Sequence, residues 1–322
     1  MIALYIIGGL LFLVLAFSVV FCLKMIKQSF GRDPHAVEYF RAYVKRLREQ
    51  GSDRAADQLS SAMTLLDRVA YEDVSITSFD GFTLRGYWIP SEQAKATVIL
   101  AHGYHSYCTH DMGMIAPFYR TLGFNVLLIH QRSHGESEGK YITFGVKERR
   151  DVEDWVRFAL SRVGEDHPLF LHGLSMGAAT VMMASEMPQV KRSVCGIVAD
   201  CGYVTPGDEF KHVFKTSMKL PIFPCFYIAA FMTRLICGFS FYEASSADAL
   251  AQTDIPVLFI HGGKDDFVPT ECTEINYKAC LSPKQKLIVP EAAHAQSYLF
   301  DPELCEQTLA DFIHRCLDKP LD

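Results

Sequence analysis

The chain has 322 residues, 49% of them hydrophobic and 21% charged, and a formal net charge of −6. That length suits one large α/β domain with appendages. The negative balance, with no basic run interleaved with aromatics in the body of the chain, argues against nucleic acid as a partner.

The apolar excess is concentrated at the start. Residues 1–23 contain no charged side chain, and a helix rising ~1.5 Å per residue over that length spans ~30 Å, the thickness of a bilayer core. A cleaved signal peptide is disfavoured by the lack of Lys or Arg before the apolar run and of a clear small-x-small cleavage site. The stretch predicts a single-pass transmembrane anchor. Lys24, Lys27 and Arg32 follow it at once, which predicts a cell-membrane protein with its body in the cytoplasm. Ten scattered cysteines without a C-x-x-C pair fit reduced thiols. No Cys/His spacing suggests a zinc site, and neither a metal nor an organic cofactor is expected.

Beyond the anchor, Val37, Phe40, Tyr43, Val44 and Leu47 recur at helical spacing and predict a helix over 34–50, with Asp33 as N-cap and Gly51 as stop. A second helical pattern covers 53–69. Together, residues 24–70 read as a juxtamembrane helical segment packed on the main domain. From Tyr71 the period changes to two, and Asp80-Gly81 between alternating runs predicts a hairpin. Strands then alternate with helices: strand 97–101, helix 111–122, strand 125–130, helix 148–162, strand 169–172, helix 176–186 and strand 194–200. The series closes with strand 257–261, a helix near 270–280, strand 285–289 and helix 302–317. Short apolar strands separated by helices predict a mostly parallel sheet covered on both faces.

Residues 203–251 interrupt this alternation with an aromatic-rich insert, far longer than an ordinary connection. Placed after a parallel strand, it overhangs the sheet edge where α/β proteins bind ligands. It reads as a helical cap lining an apolar pocket.

The chemistry-bearing stretch is Gly173-Leu174-Ser175-Met176-Gly177, between a short apolar strand and a helix-prone run. A sharp strand-to-helix turn needs glycines where a Cβ would clash. It lifts the serine hydroxyl off the sheet and leaves the Met176 N–H free to hold an oxyanion. An acid and a base must follow. His261-Gly262-Gly263-Lys264-Asp265-Asp266 ends a later strand, and spacing barely separates its two aspartates. His294, among small neighbours after the last strand, is the candidate base. The order Ser, Asp, His is that of the nucleophile-elbow hydrolases. His102-Gly103-Tyr104 after strand 97–101 offers the Tyr104 N–H as a second oxyanion donor, and the Tyr104 ring is a candidate for the pocket wall.

With Gln131-Arg132-Ser133-His134-Gly135-Glu136-Ser137 added, four motifs in order resemble the α/β-hydrolase-fold serine hydrolases from about Tyr71 to the C-terminus. The chain is most similar to membrane-anchored bacterial esterase-like and Bem46-like hydrolases. The resemblance implies an α/β-hydrolase fold over 71–322 and assigns the acid to Asp265. It departs from the family at His130, where an aspartate is common. The expectation is a membrane-anchored hydrolase of carboxylic esters, small-molecule or lipid-like, acting through Ser175, His294 and Asp265. The same triad would serve a thioesterase, an acyltransferase or a peptidase. The reading from a different class is a catalytically silent, membrane-tethered interaction module.

Overall fold

The computed structural model describes residues 1–317, with the side chains of residues 2–4, 10, 11 and 13–15 outside the described set. Eight strands build one sheet: β1 (Glu72–Thr77), β2 (Thr83–Ile89), β3 (Ala96–Ala101), β4 (Phe124–Ile129), β5 (Leu169–Leu174), β6 (Val194–Asp200), β7 (Val257–Gly262) and β8 (Lys284–Val289). Their order is β1-β2-β4-β3-β5-β6-β7-β8. The β1–β2 hairpin and its junction with β4 are antiparallel, and every other pairing is parallel. Helices cover both faces, so β3, β4, β5 and β7 are buried along their whole length and read as unbroken apolar runs. β1 at the edge keeps an exposed alternation. This is the mostly parallel, helix-flanked architecture the sequence implied.

Local chemistry shifts several boundaries. The helix expected over 111–122 is two short ones, Cys108–Asp111 and Ala116–Thr121. Gly113 lies between them, where a Cβ would sit 2.8 Å from the Ala62 carbonyl oxygen, and Pro117 lacks the N–H that a continuous helix would use. The helix expected over 34–50 forms over Ala36–Glu49, with Asp33 accepting from the His35 N–H just outside it. The next helix, Asp53–Met63, stops before a 3₁₀ turn at Leu65–Asp67. This pair packs against Met114 and Leu299, and the Tyr43 hydroxyl accepts from Gln296 in the loop that follows β8.

The insert after β6 carries helices Pro206–Thr216, Cys225–Ile236 and Ser246–Leu250 above the C-terminal sheet edge. The N-terminal helix, Ile2–Phe30, reaches into this layer. Its final residue, Phe30, is fully buried, stacks on Phe210 at 5.3 Å and meets the edge of Phe144 at 5.3 Å. Among the described residues no helix is long and apolar enough to cross a membrane, and the span expected over 1–23 falls partly on side chains outside them. What the described part adds is a second use for the helix. Cys22, Met25, Ile26 and Phe30 are buried against the cap, so the C-terminal end of the helix is apolar in order to pack.

Phe30 therefore joins the N-terminal helix to the roof of the domain. Phe30→Ala should lower unfolding free energy by about 3–5 kcal/mol, the usual cost of emptying a buried phenylalanine site. Chemical denaturation against the parent chain measures this, and a change within error would mean the helix end is only loosely seated.

Candidate active site

At the C-terminal end of β5 the chain turns directly into the helix Met176–Ala184, with Ser175 between them at φ 55° and ψ −115°. The two glycines of the motif permit this. A Cβ on Gly173 would stand 2.2 Å from the Gly177 carbonyl oxygen, and one on Gly177 would stand 2.0 Å from that of Ala101. No side chain fits either place. Ser175 is fixed from behind by its own N–H, which donates to the Asp200 carbonyl at 2.8 Å.

The structure brings Ser175, His294 and Asp265 together. Ser175 Oγ lies 2.9 Å from His294 Nε2, and His294 Nδ1 lies 2.7 Å from Asp265 Oδ2. Asp265 is an acceptor only, so the imidazole must donate through Nδ1 and present Nε2 as acceptor to the hydroxyl. The two adjacent aspartates separate cleanly here, because Asp265 is buried and Asp266 faces solvent. Asp265 Oδ1 accepts from the N–H groups of Phe267 and Val268, and Oδ2 accepts from His261 Nε2 as well as from His294. Burial pushes the Asp265 carboxyl up, but the hydrogen bonds it accepts from His261 and His294 outweigh it and hold the group at about 2. It is ionised at any working pH. Serine hydroxyl, imidazole and carboxylate in this chain can move a proton off Ser175 and stabilise the imidazolium that results.

Met176 is the first residue of its helix, so its N–H has no partner within the helix. The His102-Gly103-Tyr104 loop passes close by, and a Cβ on Gly103 would lie 3.6 Å from that of Ser175. The Tyr104 ring turns away from the site. It stacks on His105 at 3.9 Å, packs against Phe144, and its hydroxyl donates to the Ser29 carbonyl at the end of the N-terminal helix.

Sequence reasoning gave no role to several residues that hold this site. Asp111 is one: its Oδ2 accepts from the Gly103 N–H at 2.8 Å and its Oδ1 from Ser106 Oγ, which fixes the loop beside Ser175. It sits in a helix that was expected to run straight on, so nothing in the pattern marked it. His261, quoted only as part of a motif, orients Asp265 while its Nδ1 pairs with Thr273 Oγ1 at 2.7 Å. The 131–137 turn braces the same loop. Gln131 N–H donates to His102 Nε2, His105 N–H donates to His134 Nε2, and buried Arg132 forks onto Asp151 and Asp80. The departure at His130 is a packing solution: its ring lies where a Cβ on Gly135 would stand, 2.2 Å from Nδ1. Glu209 of the cap is buried near Asp265 with neither carboxyl oxygen partnered among the described residues, and burial pushes it up to about 8.

Cys201 is buried and its sulfur falls within 4.8 Å of the Asp265 and His294 ligand atoms, the one grouping with metal-ligand spacing among the described residues. The donors do not fit a resident ion. Burial holds the thiol well above its ordinary value, and His294 and Asp265 are already bonded to each other.

Comparison with known proteins agrees with this architecture. Residues 92–229 match the family described as serine aminopeptidase, S33. The chain is 26% identical over 314 residues to the uncharacterized protein YqkD of Bacillus subtilis, covering 97% of each chain. It is 24% identical over 254 residues to protein bem46 of Schizosaccharomyces pombe, covering 76% of each. Among solved structures it resembles the esterase Pf2001 of Pyrococcus furiosus, with a TM-score of 0.61, 26% identity, and coverage of 77% of this chain and 91% of that one.

The buried titratable groups set a pH window. Burial lowers His102 and His110 to about 4 and His130 and His172 to about 3, from an ordinary 6.5. Below pH 6.5 the unfolded chain takes up protons that the folded one refuses, so stability should fall steadily between pH 6.5 and 4. Glu209 acts in the other direction: the unfolded chain releases its proton above 4.5 while the folded chain keeps it to about 8, so stability should also fall as pH rises through that interval. Denaturant midpoints across pH 4–9 test both arms. Glu209→Gln should flatten the alkaline arm above pH 6.5 and steepen the acid arm between pH 6.5 and 4.5, where Glu209 opposes the histidines.

Proposed function

Because the chain belongs to the α/β-hydrolase superfamily, we propose that it is a serine hydrolase that cleaves carboxylic esters and is held at the cell membrane by its N-terminal helix. The observation that carries this reading is the unbroken run of hydrogen bonds from Ser175 Oγ through His294 to Asp265.

Ser175 Oγ attacks the ester carbonyl carbon while His294 Nε2 takes the hydroxyl proton. Asp265 holds the imidazole in the right tautomer and stabilises its charged form. The N–H groups of Met176 and Tyr104 bind the oxyanion, each donor being worth about 10²–10³ in rate. The imidazolium then returns its proton to the departing alkoxide, leaving an alcohol and acyl-Ser175. Water, deprotonated by His294, attacks the acyl group and releases the carboxylic acid. The strained backbone at Ser175 serves this sequence, because it keeps the nucleophile and the Met176 N–H on one side of the carbonyl. The cycle requires no metal or organic cofactor.

The aromatic roof over this edge of the sheet supports acyl or lipid-like substrates. Phe30, Phe144, Phe210 and Phe241 pack against one another at centroid distances of 4.7–6.1 Å. The N-terminal helix supports the membrane part of the proposal. Tyr5, Ile6, Ile7, Phe12, Phe17 and Val20 are exposed on it, an apolar surface that water does not favour and a bilayer does. Lys24, Lys27 and Arg32 beyond it assign the body to the cytoplasm. The chain is then organised as a transmembrane anchor over 1–23, a juxtamembrane helical segment over 24–70 and a catalytic domain over 71–322 with its cap at 203–251.

A fluorophosphonate probe should label the full chain, and Ser175→Ala should abolish labelling and cut ester turnover by about 10⁴-fold or more. Absence of labelling on the parent chain would identify a silent interaction module. Turnover of chromogenic esters should rise with acyl length, and equal rates for short and long chains would count against a lipid-like pocket. Faster turnover of thioesters or peptides would shift the leaving group while keeping the triad.

A further inference from the structure

The cap helix Cys225–Ile236 has two faces. Phe226, Ala229 and Thr233 are buried against the core of the cap, and Cys22 Sγ contacts the Cys225 carbonyl where the N-terminal helix crosses it. The opposite face, starting in the turn before the helix, carries Phe223, Tyr227, Phe231 and Leu235 at intervals of four, between 57% and 77% exposed. Four large apolar side chains in one row are more than scattered surface hydrophobics, and such a stripe marks an interaction face.

Charge identifies what the face meets. Residues 1–32 and 211–242 together hold seven Lys and Arg and not one Asp or Glu, in a chain whose net charge is −6. Lys24, Lys27, Lys215, Lys219 and Arg234 are exposed on these two segments. An apolar row in a basic segment free of acids is the pattern of a helix lying in the boundary of an anionic bilayer, with its rings among the acyl chains and its cations at the phosphates. A second copy of this chain fits the same face poorly, because a two-fold contact would set lysines against lysines.

We propose that the cap helix Cys225–Ile236 docks by its Phe223–Leu235 row onto an anionic phospholipid surface, so that the roof of the active site rests on the membrane. The face is continuous with the N-terminal helix through the Cys22–Cys225 contact and the buried Phe30 cluster. Its consequence for substrate delivery rests on the lipid-like ester reading given above: an acyl chain would pass from the bilayer beneath the cap without crossing bulk water.

The test uses the full chain reconstituted in vesicles containing phosphatidylglycerol and brominated phosphatidylcholine. The native Trp88 and Trp155 are 4% and 0% exposed, so they contribute a background that lipid bromine does not reach. F231W should add emission that brominated lipid quenches, whereas L281W, at an exposed site just before β8, should add emission that it does not. Quenching of F231W that weakens in K215E/K219E supports the proposal. A vesicle-bound F231W chain with unquenched emission overturns it, since the anchor then holds the protein while the cap stands clear. A doubled mass with F231W emission already shifted to the blue before vesicles are added also overturns it, in favour of a second copy. Kinetics separate this from the substrate reading. Tyr227→Ser/Phe231→Ser should slow a long-chain ester presented in vesicles by roughly tenfold as the delivery face is lost and leave a soluble short-chain ester unchanged. Quenching without that kinetic split upholds the docking face and rejects the lipid-like substrate.

Discussion

The structure depends on a close approach of backbones. At residues 173–177 the chain runs where no Cβ can follow, within about 2 Å of where side chains from Gly173 and Gly177 would begin. A non-glycine residue at φ 55° and ψ −115° is strained by about 1–3 kcal/mol, and Ser175 can hold that conformation only because its surroundings leave no alternative. β5 lies between β3 and β6 in the middle of the sheet, buried on both faces, and Asp200 captures the Ser175 N–H. The same approach brings the end of β3 against the helix after Ser175, which is why the Gly103 loop arrives beside the hydroxyl. The candidate nucleophile and both candidate oxyanion donors are thus products of one packing constraint.

Around that constraint lies a dense set of buried polar groups, most of them partnered. Asp265 receives four donors, His261 is itself held by Thr273, and the 102–105 loop is tied down by Asp111, Gln131 and His134. Buried networks of this kind are favourable only when satisfied throughout, and then they fix a single arrangement. The arrangement also fixes protonation: neutral imidazoles under the loop and one ionised carboxylate behind His294. Arg132 pairs on two sides with Asp151 and Asp80, so it is a buried charge whose removal would strand its partners.

Elements whose burial follows from their own pattern were legible in the sequence. Strands buried on both faces announce themselves as apolar runs and the elbow glycines announce the turn, so the fold class, Ser175 and His294 could be read from pattern and order, while the choice of Asp265 over Asp266 came from the family resemblance. What stayed hidden depends on partners far along the chain. Asp111 matters because it points at Gly103, and the break at Gly113 that allows this comes from Ala62. Tyr104 looked like a pocket wall, but its hydroxyl is claimed by Ser29, a contact between residues 75 positions apart. Glu209 is marked by nothing in its own segment, because its burial near Asp265 depends on how the cap packs. The N-terminal helix read as one apolar stretch, and only the packing of Cys22 to Phe30 divides its buried end from the rest.

That last contact bears on how the protein is made. The N-terminal helix is synthesised well before the rings that enclose Phe30, which belong to Phe144, Phe210, Phe239 and Phe241. Some two hundred residues must emerge before the aromatic cage is complete, and contacts that distant are the slow ones in folding. Through most of that interval the helix end is exposed, and the 102–105 loop relies on Asp111, Gln131 and His134 while the helix it is tethered to stays uncovered. The N-terminal helix and the loop beside Ser175 therefore settle together only once the cap has been made and has closed on Phe30.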